Sequence, residues 1–197
     1  MAGSYLTIKS EGQGRFTEKM SRFLAFALPV SSPEQAKEIV KRFQNEYHDA
    51  RHVCWAYMLG PARDCWQLND NGEPSGTAGK PILGQINSAG LTDIIIVVVR
   101  YFGGIKLGTP GLTAAYREAA RLAIEAAQKE ERFEMELIRV RFPYMAADGV
   151  MKLAKRDGVE TVESSWDNTC SLTLRVRKDM GAELRSRLKS LSGVSLV

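Results

Sequence analysis

Asp93-Ile94-Ile95-Ile96-Val97-Val98-Val99-Arg100 is an unbroken aliphatic run closed by glycine on both sides, at Gly90 and Gly103. Six β-branched residues with no polar alternation predict a strand buried on both faces, and so the centre of a sheet with helices above and below it. Working outward, Tyr5–Lys9, Arg22–Val30, Val53–Leu59 and Asp64–Leu68 read as further strands. Gly12-Gln13-Gly14 reads as a turn between the first two. Ser32-Pro33-Glu34-Gln35 opens an amphipathic helix to about Tyr47, with Ser32 as cap and Pro33 at the first position. A second helix is predicted from about Ala78 to Ser88. After the central run, Thr109-Pro110 reads as cap and first position of a long alanine-rich helix from Gly111 to about Glu131.

Beyond residue 134 the elements follow a different order. Strand Glu136–Phe142, helix Ala146–Arg156, strands Val159–Ser164 and Cys170–Arg177, helix Met180–Leu191 and strand Val194–Val197 give β-α-β-β-α-β, the ferredoxin-like pattern. Gly158 is read as the left-handed stop of the first helix and Asp167-Asn168 as the hairpin turn. The expected fold is α+β in two domains, 1–134 and 135–197.

Composition excludes several classes. The chain has 44% hydrophobic and 25% charged residues, a soluble globular balance. Its net charge of +4 is mildly basic, with 16 Lys and Arg against 15 Asp and Glu up to residue 134 and 11 against 8 beyond it. Cys54, Cys65 and Cys170 form neither an even set nor a C-x-x-C pair, so reduced thiols in a cytoplasmic protein are expected, and Cys54 and Cys65 are read as buried in strands. The longest aliphatic run is too short to span a membrane, and the amino terminus does not resemble a secretion signal. His48 and His52 lie four apart, but the intervening turn residues separate the rings and no H-E-x-x-H glutamate accompanies them. No metal and no cofactor is expected.

Two glycine-dense segments are the candidate sites. The first is Asp70-Asn71-Gly72-Glu73-Pro74-Ser75-Gly76-Thr77-Ala78-Gly79-Lys80-Pro81, where Gly76 and Gly79 permit close approach of a phosphate, Ser75 or Thr77 leaves helix amides free, and Lys80 adds charge. It departs from the P-loop pattern at Pro74 and Pro81. The second is Arg100-Tyr101-Phe102-Gly103-Gly104-Ile105-Lys106-Leu107-Gly108-Thr109-Pro110-Gly111, between a buried strand and a helix, where open sheets place their binding loops. It lacks G-x-G-x-x-G. Amides near Thr109, with Arg100 and Lys106, suit phosphate, and Tyr101 and Phe102 suit stacking on an unpaired base. The plainer reading makes these segments rigid turns and helix caps, with aromatic rings filling core. The basic residues of 152–189 are read as solvated faces or one combined surface.

The same segments resemble the IMPACT family, including its bacterial YigZ-type members. The resemblance rests on Ser21-Arg22-Phe23, Asp49-Ala50-Arg51-His52, the Asp70–Pro81 stretch and Val98–Leu112, and it covers essentially the whole chain. It implies a first domain like a ribosomal-protein domain and domain IV of elongation factor G, an α/β sandwich, and a second like that factor's domain V. Eukaryotic relatives regulate translation by competing for the activator of a stress-responsive initiation-factor kinase, using an additional amino-terminal domain. The family's Gly-Thr-Gly-Gly reads Gly108-Thr109-Pro110-Gly111 here, which removes one amide donor at the helix start.

The expected function is therefore a non-catalytic, translation-associated regulator. It binds RNA, the ribosome or a translation regulatory protein through one surface made by both loops. That surface comprises His52, Asp70, Glu73, Ser75, Gly76, Thr77, Gly79, Lys80, Arg100, Tyr101, Gly103, Gly104, Lys106, Thr109 and Arg117. The alternatives are an enzyme or binder acting on a phosphorylated small molecule, with Asp70, Glu73 or His52 carrying protons, and a protein-interaction regulator without nucleic-acid contact.

Overall fold

The structure is a computed structural model and describes residues 3–197. The chain divides into two compact units, one spanning Tyr5–Arg132 and the other Phe133–Val197 together with Gly3 and Ser4. The fold is α+β.

In the first unit the aliphatic run becomes β6 (Ile94–Tyr101), the middle of a five-stranded antiparallel sheet. Its neighbours are β3 (Ser21–Pro29) and β4 (His52–Leu59), with β2 (Gly12–Glu18) and β5 (Cys65–Asn69) at the edges. Strand alternation divides its side chains between two cores. Ile94, Ile96 and Val98 face α2 (Gly79–Ser88) and α3 (Gly108–Ala126), whereas Ile95, Val97 and Val99 face α1 (Pro33–Glu46). All six are fully buried, each contributing roughly 1.5–3 kcal/mol of transfer free energy. At α1 the Ser32 hydroxyl caps the helix by accepting from the Gln35 amide at 3.2 Å, and Gln35 Oε1 accepts from the amide of Ser31, one residue before the cap.

Three expectations change. Gly12-Gln13-Gly14 lies in an edge strand, not a turn, because α3 crosses it directly: a Cβ at Gly12 would fall 2.2 Å from the Ala123 carbonyl oxygen. The long helix begins at Gly108 and ends at Ala126, and residues 129–133 form β7 (Lys129–Phe133) in a two-stranded sheet with β1 (Ser4–Ile8). Leu107 is the residue preceding α3, and no side chain caps it, so Thr109 lies inside the first turn rather than at the cap.

The second unit runs β8 (Met135–Phe142), α4 (Ala147–Ala154), β9 (Val159–Trp166), β10 (Cys170–Arg177), α5 (Lys178–Lys189) and β11 (Ser195–Leu196). Its sheet order, β11-β8-β10-β9 and antiparallel throughout, is the ferredoxin-like arrangement. Gly158 is left-handed, at φ +79°, but sits in the turn beyond Lys155 rather than at the helix end. Most of the basic residues of this unit are paired with carboxylates, Arg185 with Glu136, Arg156 and Arg187 with Glu183, and Arg175 with Glu160. Among the described residues no helix is long and apolar enough to cross a membrane.

A cleft between two glycine-rich loops

His52 opens β4 and Arg100 lies near the end of β6, and the two are cross-strand partners on the face that carries α2 and α3. The loop after β5 folds Glu73 onto this pair. The Glu73 carboxylate accepts from Arg100 Nη1 at 2.6 Å and from the Tyr116 hydroxyl at 2.7 Å. Both members of the ion pair are almost fully buried, with side chains 6% and 3% exposed for Arg100 and Glu73. Removing either would strand a charge away from water.

His52 Nδ1 is 2.8 Å from the Asn71 carbonyl oxygen. A carbonyl only accepts, so Nδ1 carries a proton, and Nε2 is turned to the cleft side, 3.9 Å from Glu73 Oε2. Below this group the Cys54 thiol lies 3.0 Å from the Asp70 carbonyl and 3.3 Å from the Tyr116 hydroxyl. Burial pushes that thiol up to about 12. Burial, then the neighbouring Cys54 and Glu73, also raises the Tyr116 phenol. Neither is a nucleophile at neutral pH. Cys65, expected to be buried, is exposed at the sheet edge.

Above this floor opens a cleft of about 470 Å³ lined by Arg51, His52, Gly72 to Pro74, Arg100, Phe102 and Lys106 to Thr109. The two glycine-rich segments therefore do meet, through Gly72–Pro74 of the first and Phe102–Thr109 of the second. Gly103 lets this happen: a Cβ there would fall 2.1 Å from the Met20 carbonyl carbon, and its amide donates to the Ser21 hydroxyl. Gly104 is exposed with φ +89° and makes the adjoining turn.

The remaining candidates divide. Asp70 does not face the cleft. Its carboxylate accepts from the amides of Gly76, Ala78 and Gly79 at 2.8, 3.1 and 2.8 Å, so the anion bound at the start of α2 is the chain's own aspartate. Thr77 is buried and donates to the Pro74 carbonyl, and Ser75 is exposed on the same loop. These residues shape the first loop, and the free amides expected beside Ser75 and Thr77 are already taken. Gly76, Lys80 and Arg117 line a separate shallow groove along the seam of α2 and α3. Tyr101 points to the other side of the sheet, packing on the α1 core with its hydroxyl donating to Asp49 at 2.9 Å. The stacking role is left to Phe102, which is 41% exposed and has Arg51 and Arg100 over its ring at 5.9 and 5.6 Å.

Sequence reasoning passed over Arg51 as a wall residue and Tyr116 as the hydroxyl that fixes Glu73. The signal for Tyr116 is one hydroxyl-bearing ring in an alanine-rich helix, on the face that Ala115, Ala119 and Ala120 bury.

A family model described as the Impact N-terminal domain matches residues 19–124, which include every residue lining the cleft. The chain is 33% identical over 195 residues to an IMPACT family member of Haemophilus influenzae, covering 98% of this chain and 95% of that one. It is 33% identical to the IMPACT family member YigZ of Escherichia coli, over 90% of this chain and 88% of the other. A crystal structure of a hypothetical protein, 29% identical, superposes with a TM-score of 0.76 over 100% of this chain and 98% of that one. By the matched domain and by full-length relatives alike, this chain belongs to the IMPACT family.

Proposed function

We propose that this chain is a cytoplasmic, non-catalytic binding module of the translation apparatus, and that the cleft between the loops receives RNA. The observation that carries the reading is the charge of the lining: Arg51, Arg100 and Lys106 against the single carboxylate Glu73, beside a helix start that no side chain caps. Cationic side chains and helix amides together favour phosphate, and an exposed ring offers a base a stacking surface. Family membership, and the translation-factor-like domains that the resemblance implies, supply the setting.

Titration of a labelled single-stranded RNA at several salt concentrations tests it. Lys106→Ala and Arg51→Ala should each weaken binding and lower the salt slope by about 1. Lys80→Ala, in the separate groove, should leave both unchanged. RNA affinity indifferent to Arg51→Ala and Lys106→Ala together would remove the cleft from the function.

One observation favours a second reading, a phosphorylated small molecule in the same place. The cleft has the volume of a small-ligand pocket, and the fixed His52 tautomer presents a proton acceptor to it. A thermal-shift screen with nucleotides and sugar phosphates discriminates, since a tight ligand raises the melting temperature by mass action.

A further inference from the structure

Resting on the reading of this cleft as the receptive surface, we infer that it is built for a terminal phosphate monoester rather than for an internal phosphodiester of a nucleotide chain. Charge comes first. Arg100 is spent on Glu73 at 2.6 Å, whereas Arg51 and Lys106 have no ion pair among the described residues and line the same cleft. Two positive charges remain uncompensated. A phosphodiester carries one negative charge, and a monoester carries about 1.5 to 2 near neutral pH with three strong acceptor oxygens.

Donors come second. Arg100 Nε is buried and has no hydrogen-bond partner, on a residue that is 95% buried and lines the cleft. A buried guanidinium N–H without an acceptor is costly, so an anion arriving in the cleft beside Arg100 gains from a small shift of that side chain towards it. The uncapped amides of the nineteen-residue α3 open at the same cleft, through Leu107, Gly108 and Thr109. These donors suit the several oxygens of a phosphate end.

The third argument is specific to a monoester. With Nδ1 committed to Asn71, His52 Nε2 on the wall is placed as an acceptor for the P–OH of a singly protonated monoester. A phosphodiester has no such proton to share. The size of the cleft agrees, since about 470 Å³ is a compartment for a single ligand group. Grooves that track single-stranded backbone cover about 4–16 nucleotides.

The test uses the full chain and four probes: one RNA oligonucleotide with a 5′-phosphate, the same sequence with a 3′-phosphate, the same with hydroxyls at both ends, and a nucleoside monophosphate as competitor. One phosphorylated end should bind about ten-fold tighter than the hydroxyl-ended strand, the gain of one good charge-assisted contact set. That preference should vanish in the Arg51→Ala, Lys106→Ala double variant, whose substitutions are at exposed positions. Competition by the monophosphate at the strength of the phosphorylated strand supports the monoester site and assigns it to a free nucleotide. Equal binding of all three strands, each weakened alike by the double variant, overturns the inference while leaving RNA binding standing. No binding by any strand or by the monophosphate ends both.

Discussion

The first unit contains two glycine-rich loops that each lead into a helix, and the two helix starts are in opposite electrostatic states. At α2 the amides of Gly76, Ala78 and Gly79 are held by the Asp70 carboxylate, and the anion site is filled from within. At α3 no side chain caps the helix, and Arg51, Arg100 and Lys106 stand around the opening. A helix amino terminus attracts anions whatever its sequence. What separates a structural turn from a receptive one here is a carboxylate six to nine residues upstream, present in the first loop and absent from the second.

The largest expected effect follows from emptying the filled site. Asp70→Ala leaves three amides without their acceptor and should cost about 3 kcal/mol in urea denaturation, the upper range of a cap plus charge-assisted bonds. Asp70→Asn retains one acceptor oxygen and should cost about half as much. Inorganic phosphate should restore part of the loss in the alanine variant. A drop below about 0.5 kcal/mol would show that the carboxylate is incidental to the loop.

Next comes the floor beneath the open site. Tyr116→Phe removes the hydroxyl that donates to Glu73 at 2.7 Å and should cost about 1.5 kcal/mol, because the buried carboxylate loses a donor without losing its charge. If stability is unchanged, Arg100 alone satisfies Glu73. The same floor should make the protein alkali-sensitive. The Cys54 thiol is raised in the folded state to about 12, so between the unfolded value and that limit the native state holds a proton that the unfolded state releases. Stability is then intact below about pH 8.5 and falls as pH rises, by about 2 kcal/mol at pH 10, with the raised Tyr116 adding to the loss above that. Cys54→Ala should flatten the curve between pH 8.5 and 10, measured by denaturation at each pH. In the same range a thiol reagent should label exposed Cys65 and spare Cys54 and Cys170.

How much of this was legible depends on whether the deciding interaction was local. The β6 run, the Ser32 cap and the β-α-β-β-α-β order of the second unit are written in contiguous residues, and the structure has them. The strand at Gly12–Glu18 was hidden because its glycines answer to α3, more than a hundred residues away, whose backbone would collide with any Cβ at Gly12 or Gly14. The break after Ala126 was hidden by helix-compatible charged residues that instead pair with β1. At the site, Arg100, Lys106 and Glu73 were recognisable by type and loop, but the occupation of the α2 amides was not. Nothing in Asp70 as a letter distinguishes a solvated turn residue from an acceptor of three amides. Tyr101 was misplaced for a simpler reason. Arg100 faces the cleft, and strand alternation sends its successor to the other side.

The smallest effect on stability is the sharpest test of the contrast. Thr109 is exposed at the second position of α3, and its hydroxyl makes no hydrogen bond among the described residues, so Thr109→Asp puts a carboxylate where α2 already has one. Negative charge in a first helical turn is favourable, so the variant should be more stable by about 0.3–1 kcal/mol. The same charge neutralises part of the surplus at the cleft and competes with an incoming phosphate for the amides. Anion and RNA binding should therefore fall about ten-fold while the melting temperature rises slightly. A general perturbation of the fold would lower both together. If instead stability rises and binding is untouched, the open start of α3 is merely uncapped, and the difference between the two helix ends has no functional meaning.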